Sequence, residues 1–215
     1  MSSRLCRINF LGKKKDLELS PKNSYTCGHI GYQIFVRDIL SLFVFNQKTP
    51  NMQFKNIDNI KAEGFIGFKS VNDLWNDRSL IPNEKGIYVV LNPDLKKVFL
   101  NKGVGGFFKQ KDPNVPIEEL ERKWVADSIV VYIGQTGGNG SSGVLRRRLK
   151  QYLDFGKGKP IGHYGGRHIW QLANYSELVF AWKVLKTDDP KNIESILIQK
   201  FISEYGKKPF ANISN

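Results

Sequence analysis

"SIVVYIGQTGGNGSSGVLRRRLKQY", residues 128–152, changes its pattern twice. It opens as a run rich in β-branched residues, the signature of a strand. Glycines and serines follow over 137–143. Then apolar residues return at helical spacing, as Leu145, Leu149 and Tyr152. On a wheel of 100° per residue these three fall within about 60°, a single buried stripe. The loop contains Gly138-x-Gly140-x-x-Gly143, literally a G-x-G-x-x-G. A dinucleotide fold needs an acidic residue roughly 20 positions further on to hold a ribose. Here, past Asp154, none comes before Glu177. A phosphate-binding P-loop needs Lys and Ser/Thr after its last glycine, where this chain has Val144 and Leu145. Both nucleotide readings fail on the residue that carries the chemistry, so a flexible connector is the better reading. The loop delivers an arginine instead. Arg148 flanks the buried stripe, whereas Arg146 and Arg147 point away from it.

Working outward, "KGIYVVLNP" (85–93) and "LVFAWKVL" (178–185) read as two further strands. "KKVFL" (96–100) offers a hairpin partner to the first. "NKGVGGFFKQKDPNVP" (101–116) is a loop, and Pro116 suits the first turn of a helix through "IEELERKWV". "DDPKNIESILIQKFISEYG" (188–206) reads as a helix capped by Asp189 or Asn192 and stopped by Gly206. Its wheel puts Ile198, Phe201 and Tyr205 on the buried face, with Glu194 at the centre of that face. A carboxylate turned inward is costly unless something pairs with it; the plainer role is a first-turn glutamate serving the helix dipole. Residues 1–85 form an N-terminal extension, mainly helical, with a buried helix over 29–45 and a short one at "SVNDLWND" (70–77).

The 215 residues carry a net charge of +13 and a pI near 9.7, which points to a polyanion such as nucleic acid. The densest positive stretch is Arg146, Arg147, Arg148, Lys150, Lys157, Lys159 and Arg167, against the single acid Asp154. No apolar run approaches the roughly 18 residues that span a bilayer, and "MSSRLCRINF" has no apolar signal region. No membrane partner is expected. Two cysteines exclude a disulfide framework. Cys6, Cys27 and His29 supply three metal-type ligands at most, and ordinary thiols in a reducing cytoplasm are the simpler reading.

Gly86-Ile87-Tyr88 and Tyr132-Ile133-Gly134 sit at matching ends of two neighbouring strands. Arg148-Leu149-x-x-Tyr152, a strand, an apolar helix opening with Ile193-Glu194, and Asn212 follow in order. Together these resemble the GIY-YIG nuclease family over roughly 86–92 and 128–212. The resemblance implies an α/β (α+β) core, a small three-stranded antiparallel sheet flanked by helices. Residues 1–85 then stand outside the core as a DNA-recognition or dimer element, and 86–215 form the nuclease domain. The resemblance also implies the site: Tyr88 and Tyr132 as signature tyrosines, Arg148 as catalytic arginine, Tyr152 where members carry His or Tyr, Glu194 as the sole acidic metal ligand, and Asn212 as the terminal asparagine. Two departures stand out. The tyrosines lie 44 residues apart, so 93–127 is an insertion in the core hairpin. Gln135 also stands where some members carry lysine.

The chemistry this implies is coherent. Mg²⁺ or Mn²⁺ typically takes one or two carboxylates plus phosphate oxygens and water, so Glu194 suffices. Arg148 supplies bidentate donors to the phosphate oxygens. Tyr88 is the expected proton acceptor, with Tyr132 positioning the water or sharing that role, provided nearby positive charge lowers the pKa from about 10. Outside the motif, His163 and Arg167 straddle a Gly-Gly and are assigned to DNA, while His168 and Trp170 are assigned to the core. Lys109 and Lys111 of the insertion join Arg146, Arg147, Lys150, Lys157 and Lys159 as DNA contacts. The expectation is a metal-dependent endonuclease acting on double-stranded DNA, of restriction type, with a second copy of the chain as a candidate partner in a homodimer, in the cytoplasm and associated with the nucleoid. A repair or mobile-element nuclease is the alternative within enzymes. A catalytically inactive DNA-binding module is the alternative outside them.

Overall fold

The computed structural model describes residues 53–213 and, nearer the N-terminus, the backbone of four strands. The chain divides into two compact units, 1–49 and 50–215, so the boundary falls well before the expected 85/86. In the first unit β1 (Cys6–Phe10), β2 (Lys13–Leu19), β3 (Ser24–Thr26) and β4 (Gln33–Phe35) form an antiparallel sheet in that order. The expectation of a mainly helical extension is corrected here. Gln33–Phe35, inside the expected 29–45 helix, is strand. The remainder of that helix, with Cys27 and His29, lies outside the described residues.

The second unit is built on an antiparallel sheet ordered β5 (Ile66–Ser70), β8 (Val179–Val184), β6 (Gly86–Leu91), β7 (Val130–Thr136). It has four strands, not three. The additional edge, β5, comes from sequence assigned to the extension and carries a register shift between Ile66 and Lys69. Its Gly67 is at φ +98°, and a Cβ there would sit 2.5 Å from the Trp182 ring. A kinked strand moulded around one indole has no clean alternation, which hid it from a periodicity reading.

β6 is buried along its whole length, because both faces of the sheet are covered. Tyr88 and Val90 join Phe180 and Trp182 on one face, against Leu145, Leu149, Tyr152 and Leu153 of the arginine helix (Leu145–Gly156). Ile87, Val89 and Leu91 face the other way, against Leu197 and Phe201 of the C-terminal helix (Pro190–Tyr205) and against Phe54, Ile60 and Phe65. Each such side chain contributes about 1.5–3 kcal/mol by leaving water. The expected stripe Leu145–Leu149–Tyr152 is buried. On the C-terminal helix Leu197 is the buried residue where Ile198 was expected, and Ile198 is half-buried. Asp189 caps this helix by accepting from Lys191 and Asn192 N–H, and Gly206 ends it at φ +73°.

The insertion 93–127 forms no hairpin strand with β6, whose two partners are β7 and β8. Phe99 instead makes a lone bridge to Leu172. The insertion is fastened to the 3-10 helix Tyr164–Gln171. The buried Gln171 amide accepts from Val115 N–H at 2.9 Å and donates to Val115 O at 3.0 Å. Gly106 passes so close to the Lys159 carbonyl that a Cβ would lie 1.9 Å from its oxygen. Pro116 is the N-cap of the helix Ile117–Lys123 rather than a residue of its first turn. Among the described residues no helix is long and apolar enough to cross a membrane.

Candidate active site

β6 and β7 lie side by side, with Tyr88 opposite Gly134. The Tyr88 ring fills the space a side chain at 134 would occupy: a Cβ there would meet Tyr88 Cζ at 2.6 Å and Tyr132 Cε1 at 2.7 Å. A Cβ on Gly86 would lie 2.2 Å from the Lys183 carbonyl oxygen of β8. Both signature glycines are thus steric requirements of the sheet. The ring centroids of Tyr88 and Tyr132 are 5.9 Å apart, and each ring also meets Tyr152, at 6.4 and 5.5 Å.

Arg148 reaches this cluster from the arginine helix. Burial opposes its charge, but Tyr88 and Tyr132 beside it outweigh that and hold its pKa above the ordinary arginine value. The Tyr88 hydroxyl is fully buried without a well-aligned hydrogen bond, although Arg148 and Tyr132 are close enough to act on its proton. Burial raises its pKa and prevails over the lowering influence of Arg148. Tyr132 is raised well above the usual phenol range, again by burial. The expected lowering of Tyr88 is therefore not achieved by the protein's own charges.

Glu194 enters from the first turns of the C-terminal helix and is half-buried. Its carboxyl rises to about 7 because burial outweighs the attraction of Arg148 and Lys191. Among the described residues its carboxylate makes no hydrogen bond and no ion pair. It lines a cleft of about 300 Å³ together with Tyr132, Gly165, Lys191, Lys208 and Asn212. No group of three or more His, Cys, Asp or Glu residues gathers here or elsewhere among the described residues. A lone, poorly solvated carboxylate beside Lys191 and Asn212 in a cleft fits a hard divalent cation that takes its other ligands from substrate and water.

Two expected site residues have structural bonds. The Tyr152 hydroxyl donates to Gly166 O at 2.6 Å, so its oxygen is engaged and its ring forms a wall. Asn212 accepts from Ile133 N–H at 2.9 Å and donates to Ile133 O at 2.7 Å. Its side chain imitates a neighbouring strand along the open edge of β7, and Ala211 N–H continues the pairing to Val131 O at 2.8 Å. Asn212 holds the strand that carries Tyr132.

The basic residues divide. Arg146 is tied to the carbonyls of Ile81 and Ser79 at 2.8 and 3.0 Å, while Arg147 is exposed. Lys150 and Lys159, at 2.7 and 3.5 Å, join Arg78, at 3.0 Å, on Asp154, whose side chain is 2% exposed. Burial raises that carboxyl, but bonds from Lys150 and Arg78 overcome it and hold it at about 2. Lys157 lies over the Trp75 ring at 5.4 Å. Lys109 lies over Phe108 at 5.5 Å, and Lys111 is exposed. Arg167 is half-buried. His168 and Trp170 are buried, as the sequence suggested.

His163, assigned to DNA from sequence, is instead 1% exposed. Its ring stacks on Tyr152 at 3.8 Å and 5°, and neither ring nitrogen has a partner. Burial, then the Arg148 charge, pushes its pKa well below the usual histidine value, so it is neutral. Its flanking glycines gave no signal of this burial. The sequence also gave no signal of Asp154 as a hub for cations, nor of Lys191 on the cleft.

The glycine loop is closed off. Leu145 N–H donates to Glu84 O, Arg146 N–H to Pro82 O, Gly138 N–H to Gln135 Oε1 and Asn139 N–H to Asp189 Oδ2. The loop amides of Gly138, Asn139, Ser141 and Gly143 are bonded within the protein rather than presented to a phosphate, in keeping with the failed nucleotide reading. Gln135 serves to close the loop.

Compared with family models, curated proteins and solved structures, the chain matches none.

Proposed function

We propose that this chain is a metal-dependent endonuclease of the GIY-YIG type that hydrolyses phosphodiester bonds of duplex DNA, most simply as a sequence-specific restriction enzyme. The reading rests on one observation. Tyr88 of β6, Tyr132 of β7, Arg148 of the arginine helix and Glu194 of the C-terminal helix converge into one electrostatically coupled cluster beside a cleft. Residues far apart in sequence that mutually perturb their protonation are the usual mark of a functional site.

In this reading Glu194 holds a Mg²⁺ or Mn²⁺ ion, which supplies Lewis-acid stabilisation at the scissile phosphate. The half-buried Arg148 presents a fixed guanidinium to the phosphate oxygens, where charge-assisted donors act strongly. Tyr88 is protonated at neutral pH, so it would take the proton of the attacking water only as the phenolate, after its own proton has passed to solvent, a form that a cation held by Glu194 together with Arg148 would favour. Tyr132 would orient that water. The net charge of +13 draws in the polyanion. Asn212 and Gly134 keep the tyrosines in place.

The raised Tyr88 pKa favours the second reading, a DNA-binding module without turnover. Incubation of the purified protein with supercoiled plasmid and Mg²⁺, followed by mapping of the ends, separates the two. Discrete ends that depend on Mg²⁺ support the nuclease. Plasmid retarded but uncut at every pH tested rejects it.

A further inference from the structure

The middle of the insertion holds a tight turn with unusual backbone. Lys109 and Gln110 are consecutive non-glycine residues at φ +52° and +60°. The turn is closed by Lys111 N–H on Phe108 O at 3.1 Å and by a bridge between those residues. Left-handed conformation costs L-residues roughly 1–2 kcal/mol each, so a shape this costly persists only where the surroundings impose it.

The mount does impose it. Gly106 N–H bonds Phe155 O at 2.9 Å. A Cβ on Gly105 would meet the Phe155 ring at 2.9 Å, and one on Gly162 would meet the Phe108 ring at 3.1 Å. The turn is therefore docked on the C-terminal end of the arginine helix. Phe108 abuts the segment whose next residue, His163, stacks on Tyr152.

What this mount holds outward is an apolar ring among cations. Phe107 is 56% exposed, with Lys109 and Lys111 exposed beside it. The next acid along the chain, Asp112, accepts from Asn114 at 2.7 and 2.8 Å. An exposed aromatic on a rigid support, flanked by lysines, matches stacked bases bordered by phosphates.

We propose that the turn Phe107–Lys111 is a wedge that inserts the Phe107 ring at a base step of duplex DNA, with Lys109 and Lys111 on the adjoining phosphates. The proposal rests on the DNA reading above and names how the duplex is engaged. Seven residues of helix separate Arg148 from Phe155, about 10 Å at 1.5 Å per residue. The turn's mount on Phe155 thus lies about 10 Å along the helix from Arg148, a length of about three base steps at 3.4 Å per step.

The test uses full-length protein in metal-free buffer and 40-base-pair duplexes carrying 2-aminopurine at successive positions. Binding of the wild type is expected to brighten 2-aminopurine at one step. Phe107→Ala should abolish that signal and weaken binding on the order of tenfold, and Phe107→Trp should retain both. Lys109→Ser with Lys111→Ser should lower the slope of log affinity against log salt by about two. Thermal melting of each variant excludes misfolding. Binding without brightening at any position, or equal affinities for wild type and Phe107→Ala, overturns the wedge. Plasmid cleavage in the same preparations is read separately. A protein that cuts DNA yet ignores Phe107→Ala loses only the wedge, and one that brightens 2-aminopurine but never cuts loses only the nuclease.

Discussion

The Tyr88 ring rests directly on Gly134, with its Cζ 2.6 Å and its hydroxyl oxygen 2.7 Å from the point a Cβ would occupy. Gly134→Ala must therefore displace Tyr88, Tyr132 or the strand itself. Overpacking of this kind costs about 1–3 kcal/mol. The variant should fold with a lowered melting temperature and lose cleavage on the order of 10²-fold, because the displaced tyrosine no longer meets Arg148. Wild-type turnover in Gly134→Ala would remove Tyr88 from the chemistry.

Asn212 bonds both backbone groups of Ile133, and no local sequence rule replaces those bonds. Asn212→Ala should cost about 1–2 kcal/mol and lower the melting temperature by several degrees. Amide exchange at Ile133 should accelerate in parallel. A residue acting only on substrate would leave that exchange unchanged, so slow exchange in the variant would contradict the positioning role.

The three successive arginines should separate cleanly. Arg148→Ala should reduce cleavage on the order of 10²–10³-fold with little change in duplex affinity. Arg146→Ala loses two bonds to the Ile81 and Ser79 carbonyls and should show mainly as lost stability. Arg147→Ala removes an exposed charge and should lower affinity slightly. Equal loss of cleavage in all three would indicate a diffuse phosphate patch.

Glu194 carries a carboxyl raised to about 7. A carboxyl raised on folding makes the folded state less stable once it ionises. The deficit grows as pH rises from about 4.5 to about 7 and stays constant above. Glu194→Gln should therefore be more stable than wild type at pH 8, by about 1–2 kcal/mol after allowance for partial exposure, and equal to it below pH 4.5. Mg²⁺ should raise the melting temperature of the wild type alone, and the variant should bind DNA without cutting it. An equal Mg²⁺ response in both proteins would reject Glu194 as the ligand.

Asp154 gathers Arg78, Lys150 and Lys159 and sits at about 2. A lowered carboxyl gives its full stabilisation above the unfolded value near 3.8 and loses it as pH falls towards 2. Asp154→Asn should lose about 1–2 kcal/mol at pH 7. It also frees three cations, so duplex affinity and its salt slope should rise together. A fall in affinity would mean that Asp154 orients those cations towards DNA rather than withholding them.

The strands around GIY and YIG, the arginine helix with Leu145, Leu149 and Tyr152, and the C-terminal helix between Asp189 and Gly206 were all legible from the sequence. Each is encoded locally, by alternation, by helical spacing or by a cap, within a dozen or so residues. The convergence of Tyr88, Tyr132, Arg148 and Glu194 was expected only through resemblance; the fold packs the arginine helix against Tyr88 and Tyr132 and sets Glu194 beside Tyr132 in the cleft at the β7 edge of the sheet. Other features had no local signature at all. β5 joins the sheet because Trp182 of another strand lies over Gly67. Arg78 meets Asp154 across 76 positions and Asn212 meets Ile133 across 79. The burial of His163 depends on a ring stack with Tyr152. Such pairings are settled when distant segments exclude water together. A buried polar group then takes whichever partner the packing brings within reach, and that partner is written in the tertiary structure alone.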